Sequence, residues 1–459
     1  MDGSHNPGNR IDAQYFDPRY EQLVQRLEDL RRTGKFALSP LGSLLAKSKT
    51  RLTGGMTPKG AAYLSEGIRF IRVQNVREGR IFFEKAVFIP RIIHETALKR
   101  SKLKPLDVVL TITGWTYGIA AVVPENAPNA NINQHSVKME VDRTLLDPYY
   151  LSCYLNCELC KGQIDRAVTG STRPALDYSA IESLIVAYPP DVQMQATIGK
   201  SVQARYDKAY QHLQRRDELL AGIDEEIQNT LGMSLPRESA FRSFIDDLLA
   251  TERLDAVSRS PYLKQLRDVI RAHPHDELGN IVSSDQVTTP AFTDYYRLVD
   301  IRNIEEKTGI VKVVETPTLG SGKILLKKGQ ILISGLNPDK GKVIYVDEAL
   351  DGCVGSLEFI PVRLKTDDVE LDYLLAISRS KLVTDQWKYQ ITGSTPSRER
   401  VDEECVLRTL VPRPGRDIQR KVVEAVSSKV QQAISLEQQC HSEIREAREL
   451  FMKTWTFSS

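Results

Sequence analysis

The sequence predicts an α+β protein in which two tandem, mostly-β domains are separated by long helices that form a coiled coil. Two observations carry this prediction: an internal duplication spans most of the 459 residues, and two long segments repeat apolar residues with heptad spacing. A chain of this length can bury two or three full-sized cores. Hydrophobic residues make up 41% and charged residues 27%, an ordinary globular composition.

The duplication consists of short segments that recur in the same order. RIDAQYFDPRY at 10–20 recurs as RLDAVSRSPYL at 253–263, and VTGST at 168–172 recurs as ITGST at 391–395. The remaining pairs are RFIRVQNV at 69–76 with RLVDIRNI at 297–304, LKPLDVVLTITG at 103–114 with LKKGQILISGLN at 326–337, YPPDVQMQATI at 188–198 with PRPGRDIQRKV at 412–422, and Leu41-Gly42 with Leu278-Gly279. Ordered self-similarity of this kind predicts two copies of one fold.

Each copy has the same predicted layout. A helical lead-in precedes a body of short apolar runs between Gly, Pro and Asn turns, and proline closes the body before a long helix. We therefore expect a lead-in over 1–37, a first body over 38–190, a central helix over 191–235, a second lead-in over 236–272, a second body over 273–412 and a C-terminal helix over 413–459.

The two closing helices carry an apolar seam. Alternating three- and four-residue steps predict a seam for another helix, with one charged interruption in each, Arg216 and Glu437. The alternative is that each helix packs only on its own body. The seam residues are Val202, Tyr206, Ala209, Leu213, Leu220, Ile223 and Ile227 in the first helix, and Val423, Val426, Val430, Ala433, Cys440, Ile444, Ala447 and Phe451 in the second.

Composition and cysteine spacing narrow the setting. The chain has no run of 18 apolar residues and its first residues lack an apolar stretch, so we expect a cytoplasmic protein without a membrane span. Cys157 and Cys160 form a CxxC close to Cys153, but no second pair follows at zinc spacing. We therefore predict buried structural thiols and no metal site.

Catalytic and cofactor motifs are missing from the sequence. The only Pro-Pro, Pro189-Pro190, lacks the Asn/Asp and aromatic neighbours of an N6-adenine methyltransferase. Gly320-Ser321-Gly322 begins like a dinucleotide loop but lacks the third glycine, and it also fails as a phosphate loop. No HExxH or GxSxG occurs. We predict no catalytic residues and no cofactor bound by this chain.

Local charge is more informative than the net charge of +2. Residues 69–104 hold ten Arg or Lys against three Glu, and residues 295–342 hold nine against five acids. One such stretch would be read as a solvated face. Because the two recur at matching positions of the duplication, they favour a nucleic-acid-binding surface in each copy.

With these motifs the chain resembles the specificity subunits of type I restriction–modification systems. The resemblance covers nearly all of it and is carried by RIDAQYFDPRY, IRVQNV, LDVVLTITGWTYG and, most specifically, GSTRPALDYSAIESLIVAYPP before a long helix. The last segment recurs in weaker form as GSTPSRERVDEECVLRTLVPRP. The second copy departs from the first by having LNPDKG in place of WTYG.

The resemblance implies function and partners. Two target-recognition domains would each read one half of a split site in double-stranded DNA. Two antiparallel helices would set the gap between the halves and dock two methyltransferase subunits, and a translocating nuclease subunit can join. S-adenosylmethionine would bind the methyltransferase, so this chain would not be an enzyme. An antiparallel register would also place Arg216 opposite Glu437.

Candidate DNA contacts lie at predicted strand ends and turns, where binding residues concentrate. Lys and Arg would contact phosphate, while Arg, Asn and Gln would read bases. Asn75 and Asn303 could instead cap turns, and Trp115 could fill the core. The candidates are Arg72, Gln74, Asn75, Trp115, Thr116, Tyr117 and Arg173 in the first copy, and Arg302, Asn303, Asn337, Lys340, Lys342 and Arg398 in the second.

Two other functions fit the same sequence. The chain could serve another class of methylase–nuclease, such as a fused bifunctional enzyme. It could also be a coiled-coil adaptor that does not read DNA.

Overall fold

The computed structural model describes residues 19–57, 63–114, 116–169, 174–237, 260–291, 293, 295–320, 322–392 and 399–455. The chain divides into two compact units. The first unit comprises Met1–Leu213 with Glu437–Ser459, and the second comprises Gln214–Leu436. Both combine helices with small sheets, so the predicted α+β class is confirmed. Within the described residues, no helix has the length and apolar character needed to cross a bilayer.

The first unit contains the first copy of the duplication. Its strands are β1 (Ala37–Pro40), β2 (Leu52–Gly54), β3 (Ile68–Ile71), β4 (Val76–Arg77), β5 (Arg80–Ile81), β6 (Val87–Ile89), β7 (Val108–Thr111), β8 (Ala120–Val122), β9 (Ala130–Ile132), β10 (Ser136–Met139) and β11 (Ile185–Tyr188). Its helices are α1 (Arg19–Arg32), α2 (Arg91–Glu95), α3 (Pro148–Asn156), α4 (Glu158–Ala167), α5 (Tyr178–Ser183) and the start of α6 (Val192–Ala221). Short 3-10 turns cover Leu41–Leu44, Val73–Asn75, Phe83–Lys85 and Lys99–Ser101.

The second unit contains the second copy. Its strands are β12 (His275–Glu277), β13 (Val282–Ser284), β14 (Tyr296–Val299), β15 (Val314–Thr316), β16 (Lys323–Leu325), β17 (Ile331–Ser334), β18 (Val343–Tyr345), β19 (Val354–Ser356), β20 (Phe359–Leu364) and β21 (Leu410–Pro412). Its helices are α7 (Ile223–Leu231), α8 (Pro261–Arg271), α9 (Leu278–Ile281), α10 (Leu371–Ser378), α11 (Lys381–Lys388), α12 (Glu403–Leu407) and the start of α13 (Arg416–Lys453). Its 3-10 turns cover Ile301–Asn303 and Pro338–Lys340.

Strand order confirms the duplication. A four-stranded sheet has the order β2-β10-β7-β8 in the first unit and β13-β20-β17-β18 in the second. A second sheet, β6-β3-β9, matches β15-β14-β19-β16 except for the added strand β16, and β1-β11 matches β12-β21. In both copies the second sheet contains one parallel pair, β3 with β9 and β14 with β19.

A buried or half-buried glutamine side chain makes the same hydrogen bonds in both copies. Gln163 donates to the carbonyl of Ile185 at 3.0 Å and accepts from its N–H at 2.8 Å. Gln386 does the same with Leu410, at 2.8 and 3.1 Å. A buried amide left without partners is costly, so these side chains fix where the closing strand meets the helix pair.

The predicted seam residues are all buried or half-buried. In the first unit Lys208 pairs with Glu443 at 2.5 Å, while Arg205, about one turn earlier, pairs with Glu443 and also with Glu446, about one turn later. This progression is antiparallel, as the resemblance implied. In the second unit Lys429 pairs with Glu226 at 3.3 Å. These helices therefore pack on one another as well as on the bodies.

Two details modify the predicted helices. The central helix is present as two segments, α6 and α7, which meet at Gly222. Arg216 forms ion pairs with Asp217 at 3.1 Å and with Glu305, both in the second unit. The expected opposition of Arg216 and Glu437 would join the two units and stays a prediction.

The three clustered cysteines are buried, as expected. Cys153, Cys157 and Cys160 are free thiols. Burial raises the pKa of the Cys157 thiol to about 12. At neutral pH this thiol is therefore uncharged and unreactive.

The end of α13 is fixed by an aromatic cluster, which yields a stability prediction. Phe451 lies 5.2 Å from the rings of both Tyr150 and Trp455 and is almost fully buried. Phe451→Ala should lower the free energy of unfolding of the first unit by about 3–5 kcal/mol, because it removes apolar contacts and leaves a cavity. Gln438→Ala, on the exposed side of α13, should change it by less than about 0.5 kcal/mol. Chemical denaturation would measure both, and equal effects would contradict the packing described.

Candidate nucleic-acid interface

Three chain segments meet at one edge of the first unit. Because β3 and β9 are parallel, the residues that follow both strands lie at the same edge. The N–H of Asn133 donates to the carbonyl of Ile71 at 3.0 Å, and the N–H of Ile112 donates to that of His135 at 2.9 Å. The first loop edge is thus formed by 72–75, 133–135 and the β7–β8 turn at 113–117.

A fourth segment, which includes Pro174 and Leu176, forms backbone hydrogen bonds with the β7–β8 turn and with the residue before it. The N–H of Gly114 donates to the carbonyl of Pro174 at 3.1 Å, and the N–H of Leu176 donates to that of Ile112 at 3.0 Å. Thr169 and Ala175 close this segment with a reciprocal pair of backbone bonds. The Gly-Ser-Thr motif and candidate Arg173 lie between them, at 170–173. Those four residues, and candidate Trp115, lie outside the described residues.

The second unit repeats this junction. The N–H of Gly335 donates to the carbonyl of Glu358 at 2.8 Å, and that of Asn337 donates to the carbonyl of Glu399 at 3.0 Å. The N–H of Val401 donates to the carbonyl of Gly335 at 3.0 Å. The second loop edge comprises 300–303, 357–358 and the β17–β18 turn at 336–342. Candidate Arg398 lies outside the described residues.

At the first loop edge, Arg72 is the cation best placed to meet a ligand. Its guanidinium lies 5.6 Å from the ring centre of Tyr63, and it forms no ion pair within the described residues. Gln74 and Thr116 are exposed. The Tyr117 hydroxyl donates to Asp165 at 2.9 Å, and burial together with this carboxylate raises the pKa of Tyr117 to about 12.

Asn75 supports this edge from within. Its side chain is only 2% exposed. Its Oδ1 accepts from the N–H of Arg72 at 2.9 Å, and its Nδ2 donates to the carbonyl of Lys85 at 2.9 Å. The geometry therefore favours the turn-capping alternative, in which Asn75 positions Arg72 and does not itself reach a base.

At the second loop edge, the candidates are tied to one another. The Lys342 Nζ donates to the carbonyl of Ile301 at 2.9 Å and so joins the β17–β18 turn to the turn that carries Arg302 and Asn303. Asn303 is half-buried. Asn337 adopts a left-handed conformation with φ of 49°, which shapes the start of the turn.

Cations at the second loop edge are paired with carboxylates. Arg302, whose side chain is 87% exposed, binds both oxygens of Asp300, at 3.1 and 2.8 Å, and this contact lowers the pKa of Asp300. Lys340 lies 3.6 Å from Asp339, and Arg400 binds Glu358 at 2.7 Å. An anionic ligand would have to displace these carboxylates, whereas the Arg72 Nε has no hydrogen-bond partner among the described residues.

Part of both loop edges lies in turns that carry none of the predicted contact residues. The β9–β10 turn carries the exposed Gln134, and the β19–β20 turn carries Leu357, which is 57% exposed. They reach the edges through the parallel pairings of β3 with β9 and of β14 with β19, between strands far apart in sequence. The spacing of 223 between 134 and 357, shared with the GST motifs, was the available signal.

Part of this chain is similar in sequence to a known protein. No family model matches the chain. Over 136 residues it is 23% identical to the type I restriction enzyme HindI specificity subunit of Haemophilus influenzae. That match covers 30% of this chain and 29% of the relative's length. The predicted resemblance is confirmed over this stretch.

Solved structures of the same class align with most of this chain. A type I restriction–modification S subunit from M. genitalium matches with a TM-score of 0.43 and 12% identity, covering 91% of this chain and 95% of its own. The HsdS subunit from Thermoanaerobacter tengcongensis matches with a TM-score of 0.32 and 13% identity, covering 92% and 97%. These scores are too low to assign the fold, which rests on the sheets described above.

The paired Arg302 gives a prediction about binding. Asp300→Asn keeps the acceptor for the N–H of Arg302, 2.9 Å away, but removes the charge that holds its guanidinium. We expect binding to duplex DNA at low salt to become about threefold tighter and its salt dependence steeper, because a freed cation can neutralise a phosphate. Asp268→Asn, whose carboxylate lies 3.4 Å from Arg271 on α8, is the matched control. Fluorescence anisotropy across a salt series measures both, and equal behaviour would exclude the second loop edge from the contact.

Proposed function

We propose that this chain is the specificity subunit of a type I restriction–modification system and reads a bipartite site in double-stranded DNA. The observation that carries the proposal is the pair of loop edges. In each copy the same set of backbone hydrogen bonds holds a turn whose sequence differs between the copies. Each turn lies beside at least one exposed or half-exposed arginine. The resemblance and the HindI relative support the same assignment.

Affinity and sequence reading would use different side chains. Arg72, Arg302 and Lys340 can neutralise phosphates and release counterions, which binds every sequence about equally. Gln74 and Asn337 can offer amide groups to adenine edges in the major groove. Lys342 and Asn75 would contribute by holding these groups in place, since their own polar atoms are engaged within the protein.

The partners follow from the same proposal. Two methyltransferase subunits would dock on the paired helices, where the outer faces of α6 and α13 are polar and exposed. S-adenosylmethionine would bind those subunits, and a translocating nuclease subunit would join them for cleavage. The chain would act in the cytoplasm and carry no catalytic step. It would place the methyltransferase subunits on DNA at sites where both half-sites match.

Exchange of one body tests the bipartite reading. Replacing residues 38–190 with the first body of a specificity subunit of known target should change one half-site and leave the other unchanged, because each loop edge is built within its own unit. Replacing 273–412 should change the other half-site. Long-read sequencing of methylated genomic DNA reports both. A change in both halves after one exchange, or a continuous target, would contradict the proposal.

The exchange experiment tests the adaptor alternative, and the methylase encoded by a neighbouring gene distinguishes the fused-enzyme alternative. A chain that serves a fused methylase–nuclease would still give a bipartite motif but would act with that enzyme in place of separate methyltransferase subunits. An adaptor without DNA reading would leave the methylation motif unchanged after either exchange.

A further inference from the structure

In the first unit, one turn of the body docks on the helix pair. Glu78, in the β4–β5 turn, is 10% exposed and binds Lys161 at 2.6 Å and Arg448 of α13 at 2.6 Å. Its carbonyl accepts from the Tyr210 hydroxyl at 2.9 Å, so α6 also contacts the turn. Although burial opposes it, the two cations hold the pKa of Glu78 below its usual value. The turn is thus anchored by an acid on the body and a base on the helix.

In the second unit, the corresponding turn docks with the opposite polarity. The Lys307 Nζ donates to the Asp224 carboxylate of α7 at 2.7 Å and lies 3.3 Å from the carbonyl of Arg379. Glu305 of the same turn pairs with Arg216 of α6. The Asp224 carboxylate is held in place because it also accepts from the backbone N–H of Lys381 at 2.7 Å. Here the base is on the body and the acid is on the helix.

The two helix residues occupy equivalent positions. Asp224 and Arg448 are 224 residues apart, and the same spacing relates Gln195 to Gln419, which accept from the backbone N–H of the residues that precede α3 and α10, Asp147 and Glu370. Each follows a buried seam residue, Ile223 before Asp224 and Ala447 before Arg448. The two copies therefore dock at one helix position with reversed charges.

Reversed charges matter because the copies are otherwise alike. The shared strand order and shared buried bonds would let a body pack on the helix of the other copy, supplied by a second chain. Such an exchange would set Glu78 against Asp224, or Lys307 against Arg448. Each exchanged pairing would place two like charges side by side, which is unfavourable.

A second contact of the same turn opposes the exchange as well. Because RFIRVQNV matches RLVDIRNI, the residues that follow these segments, Arg77 and Glu305, occupy corresponding positions of the duplication. In an exchange Arg216 would lose Glu305 and meet the turn that carries Arg77, a second cation. The exchanged arrangement therefore loses an attractive pair and gains a repulsive one.

We propose that these anchors select the pairing of unlike copies within one chain and prevent exchange of halves with a second copy of this chain. Glu78 of the first body attracts Arg448 and would repel Asp224. Lys307 of the second body attracts Asp224 and would repel Arg448. This inference concerns self-assembly and stands whether or not the chain reads DNA. It makes Glu78, Asp224, Lys307 and Arg448 positioning residues with no contact to a ligand.

Charge reversal at Lys307 tests the inference in the full chain. Lys307→Glu repels Asp224 in its own unit and matches Arg448 of a second copy, whereas Lys307→Gln loses the ion pair without gaining that match. Two differently tagged populations of each variant are unfolded, mixed and refolded, and one tag is captured. We expect about tenfold more of the second tag to be co-captured with Lys307→Glu than with Lys307→Gln.

Two further variants complete the test. Lys307→Glu combined with Asp224→Lys makes both bodies acidic and both helix positions basic, so the chain regains its own ion pair but still matches a second copy, and co-capture should stay at least at the level of Lys307→Glu. Glu78→Lys compared with Glu78→Gln repeats the test at the other anchor, because the introduced ammonium would match Asp224 of a second copy. Both variants carry Lys161→Gln, so that the introduced ammonium does not face the Lys161 ammonium of its own body. Equal co-capture for the reversed and neutral variants at both anchors would overturn the proposal.

A folding defect would also be decisive. If the single reversals do not refold, the chain with Glu78→Lys, Lys161→Gln and Lys307→Glu should refold as an exchanged dimer, because each reversed turn then matches a helix of the second copy and the introduced ammonium meets no cation of its own body. Failure of that chain to refold, or its refolding as a monomer, would equally overturn the proposal.

Discussion

The turn after β7 in the first unit and after β17 in the second is fixed by backbone hydrogen bonds, and the candidate binding surface depends on that constraint. Ile112 and Gly335 each accept from a following segment and donate to a neighbouring turn. The side chains that add hydrogen bonds to the turn, Thr111 to the carbonyl of Thr116 and Ser334 to that of Leu336, belong to the preceding strands, so the residues within the turn can differ without loss of the scaffold. The WTYG of the first copy and the LNPDKG of the second show this freedom. Such a backbone arrangement lets the binding residues of the turn change while the position of the turn stays fixed.

The side chains that recur in both copies lie away from these turns, at the closing strand and at the start of the long helices. Gln163 and Gln386 bind the closing strand, and Gln195 and Gln419 bind the start of the long helices. Their buried amides have little tolerance for change because each unsatisfied group is costly. Variation is therefore directed to the exposed turns and to the docking anchors. At the anchors it takes a specific form, the exchange of an acid and a base between body and helix.

Much of this could be predicted from the sequence, and the reasons are physical. Heptad spacing located the seam, and ordered self-similarity predicted two copies, because both signals lie in the order of residues along the chain and do not require knowing which strands pair. The turns that carry Gln134 and Leu357 were missed because they reach the loop edges through parallel strands far apart in sequence. Asn75 was a candidate contact because Asn reads adenine. Its burial depends on the fold of the following hairpin, which composition does not reveal. The anchor at Glu78 was missed because its partner lies 370 residues away.

The central claim is that each loop edge contacts its own part of one DNA site. Hydroxyl-radical footprinting of the chain with its methyltransferase partners on the target duplex tests this directly. We predict two protected tracts separated by an unprotected one, with Arg72→Ala weakening protection in one tract and Arg302→Ala in the other. A single continuous tract, or loss of both tracts with either substitution while the complex stays bound, would contradict the account.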